Sequence, residues 1–206
     1  MNAKRKPSAM PVVDALRVLI EHCDENWIVV TNQGSARIWP KLAQPAANMT
    51  AQRPLDLHYN PSTMGGAVSL ALGLALAQPQ RRVLCVSGDG ALLMNLGSLV
   101  TVAACVPKNL VVCVLDNRLY EVTGGQRLPS PTHRPLYYNS LVMAVGFEHE
   151  MEFEDLSEWK ESAASFFSSS GPSFLRLAVE PTPREYLKHP TPPMAEQLIR
   201  FRTALT

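Results

Sequence analysis

Two polar turns, each following an apolar run, contain the residues with the clearest potential for chemistry. Gly88-Asp89-Gly90 follows the run Val83–Ser87, and Asp116-Asn117 follows the run Leu110–Leu115. Both runs predict buried strands. The glycines allow a tight turn and a close approach of backbone N–H groups to a ligand, and carboxylate and amide oxygens suit Mg²⁺. Alone, each turn is more often a simple strand ending.

The spacing of the two turns favours a shared site. One helical segment and one strand separate Asp89 from Asn117, which is the length of a crossover between parallel strands. The carboxyl ends of parallel strands meet at one edge of the sheet, where ligands bind in open α/β folds. We therefore predict that Asp89 and Asn117 lie side by side and hold a divalent cation that carries a diphosphate.

The rest of the sequence predicts the scaffold for this site. Predicted strands and helices alternate along the chain, and the strands are continuously apolar, with no alternation of apolar and polar residues. This pattern indicates a single doubly wound α/β domain, with a mainly parallel sheet and helices on both faces. Strands are predicted at Trp27–Thr31, Leu55–Tyr59, Val83–Ser87, Leu110–Leu115 and Phe174–Val179. Helices are predicted at 12–23, from Gly34 to Pro40, and at 64–77, 92–106, 140–145, 154–168 and 192–206. Residues 123–138 are predicted to form a long loop, 1–10 a flexible tail, and 11–206 the domain.

Composition excludes several classes of function. The 206 residues are 46% hydrophobic and 18% charged with a net charge of +1, so neither nucleic acid nor a membrane is expected as a partner. The N-terminus lacks the apolar core of a signal peptide, and the four cysteines have no metal-site spacing. We expect buried, reduced thiols in a cytoplasmic protein.

The segment from Pro61 to Gln126 resembles the decarboxylase branch of the thiamine diphosphate enzymes. Gly88-Asp89-Gly90 followed by Asn117 matches the signature of that superfamily. The stretches 88–99, 115–117 and 123–126 are similar to those of phosphonopyruvate and sulfopyruvate decarboxylases.

The resemblance implies a set of site residues. Asp89, the Asn117 side chain and the backbone carbonyl of Leu119 would ligate Mg²⁺. Met64 stands where the family has a bulky apolar residue that keeps the cofactor bent, although alone it would be an ordinary core residue at a helix start. The further implied contacts to thiamine diphosphate come from Ser62, Met64, Gly88, Gly90, Ala91 and Tyr120.

The resemblance also implies a partner. The family's catalytic glutamate belongs to a pyrimidine-binding domain, and this chain has room for the diphosphate-binding domain alone. We predict no catalytic residue on this chain and a β-type subunit that works with a separate pyrimidine-binding α subunit, in a homo-dimer or hetero-oligomer. The implied reaction is decarboxylation of a small anionic 2-oxo acid, for which His58 and Arg118 are candidate substrate contacts. Other histidines and arginines considered are Arg37, Arg127, His133 and Arg134, each more often a solvated surface residue.

Other functions stay open from the sequence. The chain could be a subunit of a 2-oxo acid oxidoreductase, although its dispersed cysteines count against iron–sulfur clusters, or of an acetolactate synthase-like enzyme. It could also be a non-catalytic subunit that binds thiamine diphosphate or stabilises a partner. A flavodoxin-like or dinucleotide-binding domain is disfavoured because no GxGxxG follows an early strand.

Overall fold

A computed structural model of the chain describes residues 9–44, 53–60, 64–129, 137–188 and 190–205. The main sheet has six strands in the order β2-β1-β3-β4-β8-β7, and all neighbouring pairs are parallel. These strands are β1 (Ile28–Asn32), β2 (Asp56–Tyr59), β3 (Val83–Gly88), β4 (Leu110–Asp116), β7 (His149–Phe153) and β8 (Ser173–Ala178). A small antiparallel hairpin joins β5 (Leu119–Tyr120) to β6 (Gln126–Arg127).

Helices cover both faces of the sheet. They are α1 (Val12–Glu21), α2 (Ser35–Leu42), α3 (Gly66–Ala77), α4 (Asp89–Leu93), α5 (Gly97–Cys105), α6 (Tyr138–Val145), α7 (Leu156–Ser168), α8 (Arg184–Leu187) and α9 (Met194–Leu205). One core lies between the sheet and α1, α2 and α7, and the other lies between the sheet and α3, α5, α6 and α9. The strand residues alternate between these cores: Leu84 and Val86 belong to the first, and Val83 and Cys85 to the second. The doubly wound parallel fold predicted from the apolar strands is therefore confirmed.

The topology fixes where the two polar turns lie. The chain runs from β1 to the edge strand β2 and then returns to β3 on the other side of β1, so the strand order reverses between β1 and β3. In doubly wound sheets such a reversal opens a crevice at the carboxyl ends of the strands. Since β3 pairs with β4, with Gly88 opposite Leu115, the turns that follow these strands are neighbours at this edge.

Several elements differ from the sequence prediction. The segment predicted as one helix over 92–106 forms two helices, α4 and α5, with a break at residues 94–96. The first of them, α4, already begins at Asp89. Pro40 lies inside α2 and does not end it. The strand β7 was missed because its residues alternate in exposure, as befits an edge strand with two glutamates. The predicted loop 123–138 contains β6, and its residues 130–136 lie outside the described part.

The flexible N-terminal tail predicted over residues 1–10 ends before residue 10. Residues 1–8 lie outside the described part, but Met10 is buried and forms a parallel bridge with Val179. Three of the four cysteines are buried, as expected, whereas Cys105 is exposed, and all four are free thiols. Across the described ranges, no helix has the length and apolarity to cross a bilayer.

Gly65 marks a backbone constraint at the start of α3. Its φ of +84° lies in the left-handed region, and a Cβ there would stand 2.6 Å from the Cβ of Asn95. Gly73, in the middle of α3, has no atom within 4 Å of the position of an added Cβ. The two glycines therefore predict opposite responses to the same substitution.

We expect Gly65→Ala to lower the free energy of unfolding by roughly 1–3 kcal/mol, because it adds backbone strain and a steric clash. Gly73→Ala serves as the matched control and should raise it by about 0.5–1 kcal/mol, since alanine favours the helix. Urea unfolding followed by circular dichroism measures both changes. Equal effects of the two substitutions would contradict the described start of α3.

Candidate active site

A cleft of about 610 Å³ opens at the carboxyl edge of the sheet. Its walls come from the ends of four adjacent strands and the segments that follow them: 32–35 at β1, 88–91 at β3, Asn117 and 119–123 after β4, and 179–180 with Thr182 after β8. Met64 and Met94 contribute apolar side chains to the same cleft. Among the lining residues that the structure describes, none is Lys, Arg or His, while Asp89, Glu121 and Glu180 carry carboxylates. The charged side chains in the described part of the lining are therefore acidic, which suits the binding of a cation.

Asp89 is held rigidly at the first turn of α4. It is 2% exposed, its Oδ1 accepts the backbone N–H of Gly90 at 2.7 Å, and its Oδ2 accepts the N–H of Arg118 at 2.6 Å. The second bond ties the turn after β3 directly to the turn after β4. Each carboxylate oxygen keeps a further lone pair, so the group can still ligate a metal ion.

The turn after β4 has an unusual backbone. The Asn117 Oδ1 accepts the N–H of Leu119 at 2.9 Å, and Arg118 between them has a φ of +62°. A left-handed conformation is costly for a non-glycine residue and is found most often at functional sites. It turns the Arg118 N–H toward Asp89 and leads the chain into the β5–β6 hairpin. The turn thus holds the Asn117 side chain beside the Asp89 turn.

Tyr120 lies against Gly90. A Cβ on Gly90 would stand 2.7 Å from the Cδ1 atom of the Tyr120 ring, so only glycine allows this contact. The contact packs the β5 strand onto the start of α4. Gly90 is therefore required for packing as well as for backbone access to the cleft.

Asp116, immediately before Asn117, forms a close carboxyl pair with Asp89. The two side chains are within hydrogen-bonding reach, and both residues are at most 5% exposed. Burial, together with the neighbouring Asp116 carboxyl, raises the pKa of Asp89 to about 8. A proton or a metal ion between or beside such groups relieves their repulsion.

A buried guanidinium lies on the other side of Asp116. Arg176, in the middle of β8, donates from Nε to the Asp116 Oδ2 at 2.7 Å, and its Nη2 lies 2.6 Å from the same oxygen. Its Nη1 faces Glu152 at 3.3 Å and Glu154 at 3.4 Å. The sequence alone could have indicated a buried ion pair here, because an arginine inside an apolar strand needs buried anionic partners.

Asn32, at the end of β1, supplies an orphaned acceptor. The residue is 1% exposed and lines the cleft, and its Oδ1 has no hydrogen-bond partner among the described residues. Its Nδ2 lies 3.5 Å from the Ser87 Oγ. Because oxygen and nitrogen of an amide are assigned from their surroundings, either orientation leaves a polar atom at a cleft wall that a ligand or its bound water would satisfy.

Glu121 and Thr182 form a second contact that the sequence analysis did not anticipate. The Glu121 carboxylate accepts the Thr182 N–H at 2.7 Å and its hydroxyl at 3.0 Å. Thr182 in turn lies against Gly34, where an added Cβ would be 2.5 Å from the Thr182 Oγ1. This contact joins the segments that follow β1, β4 and β8 into one wall. No local pattern marks it, because its partners are 61 residues apart.

Most of the predicted site residues meet in this cleft. Those that line it are Met64, Gly88, Asp89, Gly90, Ala91, Asn117, Leu119 and Tyr120. Met64 is 46% exposed. Ser62 lies outside the described residues, as do His133 and Arg134. The Gly90 N–H, which was expected to face a diphosphate, donates to Asp89 instead.

The candidate substrate residues have different surroundings from the cofactor candidates. His58 is 1% exposed, and its Nδ1 lies 2.9 Å from the Thr31 Oγ1. Burial lowers the pKa of His58 to about 3, so it is a neutral core residue, and its proposed contact with substrate does not fit the structure. Arg118 reaches Asp89 through its backbone N–H. Arg37 donates to the Leu187 carbonyl, far along the chain from the two turns.

Comparison with known proteins gives the family. Residues 34–177 match the model of the thiamine pyrophosphate enzyme, C-terminal TPP binding domain. A phosphonopyruvate decarboxylase of Streptomyces viridochromogenes is 39% identical over 73% of this chain, although the chain spans only 37% of that protein. A sulfopyruvate decarboxylase subunit beta of Methanothermobacter thermautotrophicus is 37% identical over 68% of this chain and 71% of that subunit.

Further comparisons agree with this grouping. The large subunit of acetolactate synthase isozyme 1 of Escherichia coli is 38% identical over 65% of this chain and 22% of that protein. A solved structure described as a thiamin diphosphate-dependent enzyme from Mycobacterium smegmatis superposes with a TM-score of 0.64 at 21% identity. It covers 84% of this chain and 32% of that one, and it shows the shared fold. The chain belongs to the thiamine pyrophosphate enzymes and corresponds to their C-terminal TPP-binding domain.

Proposed function

We propose that the chain is the β-type, diphosphate-binding subunit of a thiamine diphosphate-dependent 2-oxo acid decarboxylase that acts on a sulfopyruvate- or phosphonopyruvate-like substrate. The observation that carries this proposal is the direct link between the Asp89 carboxylate and the Asn117–Leu119 turn at one edge of the sheet. Relatives with these activities in their names match about 70% of the chain.

The described residues suit Mg²⁺ and a diphosphate. Asp89, the Asn117 Oδ1 and the Leu119 carbonyl would supply three oxygen ligands, a number that leaves room for diphosphate oxygens and water. Since the described lining carries no basic side chain, the metal ion would neutralise the diphosphate charge. Bound thiamine diphosphate would supply the electron acceptor for loss of CO₂. The chain's own residues would anchor it, and Met64 would support its bent form.

The proposal requires a second polypeptide. Of the two glutamates that line the cleft, Glu121 has both carboxylate oxygens engaged by Thr182, so it is poorly placed to act on a cofactor ring. We assign the catalytic glutamate to a pyrimidine-binding α subunit. The Methanothermobacter relative is itself the beta subunit of a sulfopyruvate decarboxylase.

One face of the domain suits such a partner. The helices α3 and α5 contain no charged residue and are apolar around most of their circumference. They expose Leu76 at 53% and Val100 at 54%, and Met64 and Met94 extend this surface to the cleft. A helix without a polar face is normally buried. We infer that the pyrimidine-binding subunit covers this α3/α5 face and closes the cleft from that side.

A non-catalytic cofactor-binding subunit is the main alternative. The acetolactate synthase relative also keeps open a carboligase, in which the same site serves another reaction. A complex that binds thiamine diphosphate but releases no CO₂ from sulfopyruvate, phosphonopyruvate or pyruvate would favour the non-catalytic role. Formation of a 2-hydroxy-3-oxo acid, by addition of the decarboxylated fragment to the carbonyl of a second 2-oxo acid, would favour the carboligase.

Calorimetry of thiamine diphosphate with Mg²⁺ tests the shared site. We expect weak binding to the chain alone and binding at least about tenfold tighter with the pyrimidine-binding subunit, because the partner closes the cleft and removes water from it. The second measurement is CO₂ release by the pair. Equal affinity with and without the partner would contradict a site shared between two chains.

Asp89→Asn should abolish Mg²⁺-dependent cofactor binding, with a loss of at least about a hundredfold, while the fold is kept.

In the absence of metal, the same variant should also change how the stability of the fold depends on pH. The pKa of folded Asp89 is raised from 3.8 to about 8, so wild-type stability should fall as pH rises through this range. The asparagine variant should lack that component.

Urea unfolding in EDTA at pH 5, 7 and 9 measures the pH signature. Ser157→Ala is a suitable control for general effects, because Ser157 lies at the exposed start of α7, away from the cleft. An identical pH dependence in the wild type and the asparagine variant would contradict the buried state of Asp89.

Val100→Glu should weaken association with the pyrimidine-binding subunit by about tenfold or more, because it puts a charge into an apolar interface. Met151→Glu is the matched control: Met151 is an exposed apolar residue on the edge strand β7, outside the α3/α5 face. Analytical ultracentrifugation of the mixed subunits measures both. If Met151→Glu weakens association and Val100→Glu does not, the partner binds elsewhere.

A further inference from the structure

Arg176 is a deeply buried charged group that the proposed function does not use directly. It lies in β8, where every residue is buried, and its side chain is 4% exposed. Its guanidinium stands 6.0 Å from the centre of the Tyr138 ring. Burial of an arginine at this depth is expensive, so its partners must offset the cost.

Among the described residues, the hydrogen-bond and ion-pair partners of Arg176 are carboxylates. Asp116 receives Nε and Nη2 at 2.7 and 2.6 Å, whereas Glu152 and Glu154 face Nη1 from the solvent side at 3.3 and 3.4 Å. Glu152 is itself fixed, because it accepts the N–H of Asn139 at 2.7 Å. The side chains of Asp116 and Arg176 are both 4% exposed, so their pairing is the part of the network shielded from water.

Asp116 connects this network to the site. It lies within hydrogen-bonding reach of Asp89 on one side and is bound by Arg176 on the other. Without the guanidinium, two buried carboxylates would stand together under the cleft. With it, the negative charge of Asp116 is largely balanced, and Asp89 is the member of this carboxyl pair that lines the cleft.

We propose that Arg176 is a positioning residue that makes the site prefer a metal–diphosphate complex over a bare metal ion. The inference rests on the proposed function, because it needs the diphosphate to bind beside Asp89. A bare divalent ion carries charge +2 and is attracted by each carboxylate. A divalent ion on the ionised diphosphate instead forms an end of net charge about −1, which carboxylates repel, while the cofactor's compensating positive charge is on its thiazolium ring. Balancing Asp116 therefore weakens binding of the bare ion and strengthens binding of the complex.

The test uses Arg176→Met and two probes, MnCl₂ alone and MnCl₂ with thiamine diphosphate. Electron paramagnetic resonance measures free Mn²⁺ in each titration. In Arg176→Met, bare Mn²⁺ should bind about tenfold more tightly and the Mn²⁺–thiamine diphosphate complex about tenfold more weakly. Opposite changes distinguish a charge-balancing role from a structural one, since a loosened site would lose affinity for both probes.

Two further variants sharpen the test. Asp116→Asn combined with Arg176→Met removes both charges and should return both affinities to within about threefold of wild type, because the charge that Arg176 balances is gone. Glu154→Gln is the matched control at the half-exposed end of the network and should leave both affinities nearly unchanged. If Arg176→Met does not fold, the neutral double variant and Arg176→Lys, which keeps the charge, should each retain wild-type preference.

The outcomes separate this inference from the proposed function. A wild-type chain that binds no Mn²⁺–thiamine diphosphate, alone or with the partner, overturns the proposed function and this inference together. Wild-type binding with parallel or absent changes in Arg176→Met overturns the inference alone. Loss of the preference in the double variant would also overturn it, because Arg176 would then act by a route other than Asp116.

Discussion

The meeting of two buried carboxyl groups at the tips of neighbouring parallel strands is the constraint on which the site depends. Asp89 follows β3 and Asp116 ends β4, and their closeness is possible only because other groups share the charge. Backbone N–H groups of Gly90 and Arg118 bind Asp89, and Arg176 binds Asp116. This arrangement leaves a buried anionic ligand at the floor of a cleft, which is the chemical requirement for holding a divalent cation.

The fold explains why these groups are where they are. Parallel pairing of β3 with β4 brings their turns to one edge, and the reversal of strand order beside β3 opens the cleft above them. The left-handed Arg118 and the contact of Tyr120 with Gly90 then fix the turn after β4 against α4. On the α3/α5 side the domain exposes apolar surface continuous with the cleft, which suits a site completed by a second subunit.

The sequence predicted the parallel sheet and the position of Asp89 and Asn117 at one edge of it, because both follow from local apolar runs and crossover length. It did not predict contacts that depend on distant chain segments. The pairing of Glu121 with Thr182 and the burial of His58 beside Thr31 arise from tertiary packing. Arg176 could have been suspected from its place in an apolar strand, but its partner Asp116 is visible only once β4 and β8 are paired.

The position of the metal ion is the most direct test of this account. Anomalous diffraction from crystals of the chain with its partner, Mn²⁺ and thiamine diphosphate would locate the ion. We expect one site, with oxygens of Asp89, Asn117 and the Leu119 backbone at roughly 2.0–2.3 Å. An ion bound elsewhere, or bound between Asp89 and Asp116 without Asn117, would contradict the account.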